Sequence, residues 1–156
     1  MNMTFIPEKK FMQEAIALAK KSASIGEIPV GAVVELNGEI IGRGYNSRET
    51  LNDPLGHAEI MAVRSAAEKV SSWRLDNASL YVTLEPCPMC AGAAVNSRIS
   101  RIVFGAEDPT MGACGTVIGV TNMKNSAKCE IFRNFMEDEC RELLRDFFLR
   151  MRKRPL

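Results

Sequence analysis

Small and apolar residues recur along the chain at spacings that predict alternating helices and strands. The first segment with helical spacing begins at Pro7, which suits a first helical position, and ends before Gly26. Its small and apolar face consists of Phe11, Ala15, Leu18, Ala19 and Ser22. This spacing predicts one amphipathic helix near the start of the chain.

Five short apolar runs predict β-strands. They are IPVGAVVEL (28–36), EIIGRG (39–44), SLYVTL (79–84), RIVFGA (101–106) and KCEIFR (128–133). The dipeptide Asn37-Gly38 lies between the first two runs, and it is a strong hairpin signal because both residues tolerate positive φ. The first two strands should therefore form an antiparallel hairpin.

Helical spacing returns in three later segments. In residues 57–70 the apolar stripe is Ile60, Val63, Ala67 and Val70, and AGAAVNS (91–97) is small and helical. The last helix carries Met136, Cys140, Leu143, Leu144, Phe147, Phe148 and Met151. TVIGV (116–120) fits a short helix or a strand equally well. Residues 45–56, where Asp53-Pro54 excludes a continuous helix, and residues 107–115 are expected to be loops.

The order of these elements predicts the fold class. Strands separated by helices are typical of α/β proteins, in which the helices cover both faces of the sheet. We therefore expect a three-layer α/β/α sandwich with a five-stranded mixed sheet and the antiparallel hairpin at one edge. The chain of 156 residues fits a single domain over residues 1–156.

Charge and cysteine content limit the partners and the cellular compartment to be expected for the protein. The net charge of +1 indicates no global attraction to a polyanion. Six of the last sixteen residues are basic, which fits either a solvated helix end or a local phosphate-facing patch. No apolar run reaches the roughly 18 residues of a membrane span, so no membrane partner is expected. Five scattered cysteines agree with a reducing compartment, and we expect an unprocessed, cytoplasmic protein.

The single histidine and one cysteine pair carry the candidate chemistry. His57 begins the second predicted helix in H-A-E, and Cys87 and Cys90 form C-P-M-C at the start of another helix. Two cysteines three residues apart on a helical turn face the same way, and a helix N-terminus favours their thiolates. Three protein ligands are typical of a catalytic zinc site, whose fourth position holds water. Glu59 is then placed to act as general acid and base.

Two other interpretations of the cysteine pair remain open at this point. A structural zinc would need a fourth ligand, for which Cys114, Cys129 and Cys140 are the available cysteines. A thioredoxin-like dithiol would also place C-x-x-C at a strand-to-helix turn, although it leaves H-A-E without a role.

H-x-E followed by P-C-x-x-C is the signature of zinc nucleobase deaminases. The chain resembles the cytidine/deoxycytidylate deaminase superfamily over nearly its whole length, and within it the bacterial tRNA-specific adenosine deaminases. The narrower resemblance is carried by EIPVGAVV, GYNSRE, SWRL, LYVTLEPCPMCAGA, SRI, FGAEDPTMGACG and LLRDFF. It implies a cytidine deaminase-like fold and a homodimer with one Zn²⁺ in each subunit.

The resemblance also implies a reaction and its residues. The reaction is hydrolytic deamination of adenosine to inosine at the wobble position of a tRNA anticodon stem-loop. Zinc-bound hydroxide attacks adenine C6, with His57, Cys87 and Cys90 as zinc ligands and Glu59 as proton shuttle. Asn46 matches a residue that hydrogen-bonds the flipped base, although a turn-forming asparagine explains it as well. The backbone at Leu84 and Glu85 would frame the pocket, and the Glu85 side chain could cap the following helix.

Further positions are candidates for RNA contact. Asp108 matches a position near a flanking ribose, and the remaining candidates are Arg48, Arg98, Phe148, Arg150 and Arg152. Phe148 fits the core equally well, and arginines on a solvated face are ordinary. Ser126-Ala127 stands where family members often have Asn-His, a departure that affects the RNA surface and not the chemistry. The alternative functions are a zinc deaminase of a free guanine- or cytosine-type base or nucleoside and, more distantly, a non-catalytic zinc-stabilised RNA-binding module.

Overall fold

The structure is a computed structural model that describes residues 4–124 and 127–154, in which helices and strands alternate as the sequence predicts. The elements are α1 (Lys9–Ser24), β1 (Gly31–Leu36), β2 (Glu39–Tyr45), α2 (Ala58–Val70), β3 (Ser79–Leu84), α3 (Pro88–Asn96), β4 (Arg101–Ala106), a 3₁₀ helix (Val120–Asn122), β5 (Glu130–Phe132) and α4 (Glu137–Arg152). Ser126 lies outside the described residues, whereas Ala127 lies inside them, shortly before β5.

The five strands form one mixed sheet in the order β2-β1-β3-β4-β5. β1 pairs antiparallel with both β2 and β3, while β3, β4 and β5 run parallel. The β1–β2 hairpin lies at one edge and turns through Asn37 and Gly38, both of which have positive φ. Because β3 and β4 are parallel, the segments that follow them leave the sheet at the same edge. The predicted hairpin and mixed sheet are therefore confirmed.

Helices cover both faces of this sheet, which confirms the three-layer architecture. α1 and α4 pack on one face, over a core that includes Phe11, Met12, Val33, Tyr81 and Val103. α2 and α3 pack on the other face, over a core that includes Ala62, Leu80, Val82, Ile102 and Phe104. No helix in residues 4–124 or 127–154 combines the length and the apolar character needed to cross a lipid bilayer.

Several predicted boundaries are corrected. α1 begins at Lys9 and not at Pro7, because Glu8 is extended. β1 begins at Gly31, since the backbone turns before it: the Val30 amide donates to the Ile28 carbonyl at 2.9 Å. TVIGV is not a regular strand or α-helix. It contains an isolated bridge at Gly119, and its last residue begins the 3₁₀ helix.

The predicted apolar stripe of α2 does not form the buried face of that helix, although Val63 is half-buried and packs against the core. The helix turns Ala58, Ala62 and Ala66 towards the sheet, and Val70 is exposed. The cause lies on the sheet, where Gly42 and Gly44 of β2 allow the helix to approach closely. A Cβ atom at Gly44 would lie 2.2 Å from the Ala58 carbonyl oxygen. Bulky residues on the buried face would prevent this approach, so the larger side chains of α2 lie on its flanks.

Candidate active site

The histidine and both cysteines meet where α2 and α3 begin. His57 is the N-cap residue of α2, and Cys87 is the N-cap residue of α3, with Pro88 at the first helical position. Cys90 lies in the first turn of α3 and is buried. Proline at this position pre-sets the helical φ without loss of an intrahelical hydrogen bond. Two helix N-termini therefore point towards one small volume.

The spacing of the three side chains fits a zinc ion. His57 Nδ1 lies 3.6 Å from Cys87 Sγ and 3.5 Å from Cys90 Sγ. Tetrahedral coordination, with bonds of about 2.3 Å to sulfur and about 2.0–2.1 Å to nitrogen, separates a ligating nitrogen and sulfur by about 3.6 Å. All ligand atoms lie within 4.8 Å of one another, and no fourth His, Cys, Asp or Glu of the described chain joins them. Cys114, Cys129 and Cys140 do not complete a four-ligand set.

The surroundings shift the pKa values of both thiols and of the imidazole. The hydrogen bond with Cys90 lowers the pKa of Cys87 to about 4, and the bond with His57 acts in the same direction. The same contact with Cys87, together with burial, raises the pKa of Cys90. The pKa of His57 is raised chiefly by its hydrogen bond with Cys87. One thiolate thus forms readily, and a bound cation would favour the second.

Glu59 lies two residues after His57, in the first turn of α2, and only 5% of its surface is exposed. Burial is the largest cause of the raised pKa of this carboxyl group. A carboxyl group with a raised pKa exchanges a proton more readily near neutral pH. Glu59 is therefore suited to proton transfer at the mouth of the histidine and cysteine group.

A cavity of about 320 Å³ opens beside this group. Its apolar wall includes Ile28, Val30, Leu84 and Met111, and its polar lining includes Asn46, Arg48, His57, Glu59, Glu85, Cys87 and Asp108. Apolar walls with a few convergent polar groups are typical of small-molecule and base-binding pockets. The cavity thus brings together all the predicted catalytic and substrate-binding residues and most of the predicted metal ligands.

Asn46 lies at the cavity wall but also shapes its own loop. Its side-chain Nδ2 donates to the Ile28 carbonyl at 3.2 Å, and its Oδ1 accepts the Arg48 amide at 3.4 Å. An amide side chain has two N–H donors and an acceptor oxygen with two lone pairs, so each end retains further capacity. The turn-forming role is therefore present and is compatible with contact to a base.

Glu85 is buried, and its carboxylate binds the loop that follows β4. Oε1 accepts the Asp108 amide at 3.3 Å and the Thr116 hydroxyl, while Oε2 accepts the amides of Cys114 and Thr116 at 3.0 and 3.2 Å. The suggestion that this side chain caps α3 is wrong, since Cys87 is the N-cap residue and the Glu85 carboxylate bonds to Asp108, Cys114 and Thr116 instead. Glu85 instead holds the loop that presents Asp108 and Met111 to the cavity.

The other candidate RNA contacts lie outside the cavity lining. Arg98 is exposed in the turn after α3 with positive φ, and Phe148, Arg150 and Arg152 are exposed on the last turns of α4. Phe148 is 44% exposed and contacts Phe147 edge to face, so the core alternative for this residue is wrong. Within the candidate set, Arg48 and Asp108 alone line the cavity.

Sequence reasoning missed part of the pocket. Ile28, Val30, Ala58 and Met111 line the cavity, but none was a candidate site residue. The sequence predicts Ile28 and Val30 as part of a buried strand, whereas the turn before β1 places them beside Asn46. An available signal was Pro29, which interrupts regular strand hydrogen bonding in the middle of that apolar run.

Comparisons with known proteins place the chain among deaminases. The family model of the MafB19-like deaminases matches residues 6–152. A solved guanine deaminase from Nitrosomonas europaea superposes with a TM-score of 0.80 at 20% identity, over 93% of this chain and 86% of that one. At this identity the likeness shows the shared fold.

More similar proteins narrow the family. The tRNA-specific adenosine deaminase of Bacillus subtilis is 45% identical over 94% of this chain and 92% of its own. The enzyme of that name from Buchnera aphidicola is 48% identical over 94% and 91%. A structure from a study of A-to-I editing by tRNA:A34 deaminases superposes with a TM-score of 0.84 at 38% identity, over 88% of this chain and all of that one. The chain is therefore a deaminase and belongs to the tRNA-specific adenosine deaminase family.

Proposed function

We propose that this protein hydrolyses adenosine to inosine at the wobble position of a tRNA anticodon stem-loop. It would do so as a cytoplasmic homodimer with one Zn²⁺ per subunit. The observation that carries the proposal is the coincidence of two findings: identity of 45–48% to tRNA-specific adenosine deaminases over most of the chain, and a buried glutamate beside a zinc-sized histidine and cysteine group.

His57, Cys87 and Cys90 would hold the zinc ion. When bound, zinc supplies Lewis acidity that lowers the pKa of a coordinated water towards neutrality. Glu59 would accept one proton of the attacking water on its carboxylate and deliver it to the adenine ring nitrogen. It would then accept the second proton of that water from the new hydroxyl at C6 and deliver it to the departing amino group, which leaves as ammonia. Water and adenosine are thereby converted to inosine and ammonia, with no net change at Glu59.

The remaining cavity residues would bind and orient the base. A base extruded from the anticodon loop fits an apolar-walled pocket, where Ile28, Val30 and Leu84 exclude water from its faces. Asn46 would hydrogen-bond the base through its remaining donor or acceptor. Asp108 lies at the cavity wall, where a ribose of a flanking nucleotide would pass. Arg48 would meet the RNA backbone beside the cavity.

Contacts with RNA beyond the cavity would come from Arg98, Phe148, Arg150 and Arg152. Exposed arginines attract phosphates, and an exposed aromatic ring offers a surface on which an unpaired base stacks. Phe148 and the two arginines of α4 occur together on the last turns of one helix. This combination of exposed ring and guanidinium groups supports the proposal of an RNA-facing helix end.

A surface formed by α2 and α3 supports the proposed homodimer. Ile60, Val63, Ala67, Met89 and Ala93 line a shallow depression there, beside the exposed Trp73. The depression exists because α2 buries its alanines against β2 and leaves its larger side chains on its flanks. An apolar surface of this kind is typical of a contact between subunits.

The proposed reaction is tested by incubating the purified protein with an anticodon stem-loop that carries a wobble adenosine. Free adenosine, cytidine and guanine are tested in parallel, and inosine, ammonia and bound zinc are measured. We expect inosine in the stem-loop and about one zinc per chain. The Glu59→Gln variant should lose about 10²- to 10⁴-fold in kcat while retaining zinc, because it keeps the size of the side chain but cannot shuttle a proton.

A matched control is Glu68→Gln on the exposed side of the same helix, which should retain activity. Turnover of a free base without turnover of the stem-loop would favour the alternative substrate class. Intact protein that binds no zinc would contradict the proposed chemistry, and zinc-loaded protein that binds RNA without turnover would favour the binding module.

A further inference from the structure

Glu27 is a buried carboxylate near the cavity that has no role in the proposed chemistry. It is 2% exposed and lies in the turn between α1 and β1, next to the cavity residue Ile28. Its Oε1 accepts two hydrogen bonds from one residue, the Thr50 amide at 2.6 Å and the Thr50 hydroxyl at 2.9 Å. A carboxylate that is removed from water and aimed at a single residue fixes the position of that residue.

Thr50 belongs to the loop that forms one wall of the cavity. This loop follows β2, presents Asn46 and Arg48 to the cavity, and ends at His57. At its start, the Asn46 amide donates to the Val30 carbonyl at 3.0 Å, and the Ser22 hydroxyl donates to the Asn46 carbonyl at 2.9 Å. The turn between β2 and α2 is thus attached to the α1–β1 connection at both Asn46 and Thr50.

The rest of the loop is closed by its own backbone. The Ser47 amide donates to the Gly56 carbonyl at 2.9 Å, and the Asp53 amide donates to the Arg48 carbonyl at 3.0 Å. These bonds stabilise the conformation of the loop, but they do not connect the loop to the rest of the fold. The bonds from Thr50 to Glu27 supply that attachment, two residues after Arg48 and four residues after the bonds at Asn46.

We infer that Glu27 is a positioning residue for substrate binding. By holding Thr50, it fixes where Arg48 and Asn46 stand relative to the cavity, and it touches neither the substrate nor the zinc group. This inference rests on the proposed function for its kinetic consequence, while its structural consequence can be measured without turnover. Loss of the hydrogen bonds between Glu27 and Thr50 should raise KM for the stem-loop by about 10- to 100-fold with a smaller change in kcat. The reason is that Arg48 and Asn46 would contact the bound RNA, whereas Glu59 stays in place.

Two matched pairs of variants test the hydrogen bonds between Glu27 and Thr50. Glu27→Gln retains one carbonyl oxygen, and because both bonds go to a single oxygen, the amide can keep them; Glu27→Ala loses both. Thr50→Ser retains the hydroxyl, whereas Thr50→Val removes the hydroxyl bond at nearly constant shape and leaves the backbone amide bond to Glu27. We expect Glu27→Ala to raise KM most and Thr50→Val to raise it by less, while Glu27→Gln and Thr50→Ser stay near the wild-type value.

The second readout is amide hydrogen exchange in the peptide covering residues 46–52, measured in the absence of RNA. Exchange should be at least about tenfold faster in Glu27→Ala than in the wild type and nearly unchanged in Glu27→Gln. If the wild type produces no inosine, the proposed function fails and this comparison still decides the role of Glu27. If Glu27→Ala does not fold, the Thr50 pair decides it.

Three results would overturn the inference. The first is unchanged exchange in residues 46–52 of Glu27→Ala. The second is a lowered unfolding temperature in that variant with unchanged KM, which would show a merely structural role. The third is a KM in Glu27→Gln that is as high as in Glu27→Ala.

Discussion

A methyl group added at Gly44 should reduce activity by displacing the start of α2. In Gly44→Ala the new Cβ would lie 2.2 Å from the Ala58 carbonyl oxygen and 2.6 Å from the Ala62 amide nitrogen. Both are backbone atoms of a packed helix, which cannot rotate away as a side chain would. Ordinary contact begins at 3.4 Å, so strand and helix must separate locally by about 1.2 Å.

This displacement has two consequences of different size. Overpacking of a core contact costs about 1–3 kcal/mol of unfolding free energy, which should be visible in urea. Ala58 also lies between His57 and Glu59, so the separation falls on the turn that presents both side chains. A misplacement of about 1 Å at a reacting centre can cost about 10²-fold in rate, and we expect a loss of this order in kcat/KM for the stem-loop.

Gly42→Ala is the matched control. Its Cβ would lie 2.3 Å from the Ala62 carbonyl oxygen and 2.7 Å from the Ala66 amide nitrogen, an equivalent clash one turn further along the helix. The two variants should lose similar stability in urea unfolding, while Gly44→Ala loses more activity and more zinc. Equal activity in the two variants, or a Gly44→Ala protein as stable as the wild type, would refute this account of the helix contact.

Two further predictions concern the loop after β4 and the proposed subunit contact. Glu85→Ala leaves four donors of the loop without their acceptor, so we expect a loss of about 1–3 kcal/mol in the free energy of unfolding in urea and a raised KM for the stem-loop. Glu85→Gln should also be impaired, because its amide nitrogen cannot accept hydrogen bonds from the donors that face it. Wild-type behaviour of both variants would contradict that role. Ile60→Lys, placed in the depression of α2 and α3, should shift the particle mass measured by light scattering from dimer to monomer, and an unchanged mass would exclude this surface as the contact.

The sequence predicts the sheet well because the signals for strands are local. SLYVTL and RIVFGA match β3 and β4 residue for residue, and Asn37-Gly38 forms the expected turn. The helix phase of α2 could not be obtained in this way. Hydrophobicity alone predicts that Ile60 and Val63 face the core in preference to alanine. The buried face is determined instead by Gly42 and Gly44 of β2, which pack directly against the α2 backbone.

Some features of the candidate site can be predicted from the sequence, and others cannot. The meeting of His57 with Cys87 and Cys90 follows from residue types, spacing and helix starts, all of which are visible in the sequence. The contacts of Glu27 and Glu85 are not, because each depends on how a loop folds back from 23 or more residues away. A buried glutamate looks the same in a sequence as an exposed one, so its partners become visible only in the fold.

His57 and Cys87 are both N-cap residues, so the affinity of the proposed metal site would depend on the fraying of two helices. The first turn is the least stable part of a helix, since its amides lack intrahelical partners. An ion held across both N-caps can be released only if one of these turns opens or a ligand bond breaks within it. The dissociation constant of a metal bound by this group would therefore include the free energy of closing two helix ends. Substitutions that stabilise either first turn should slow metal release without altering a ligand.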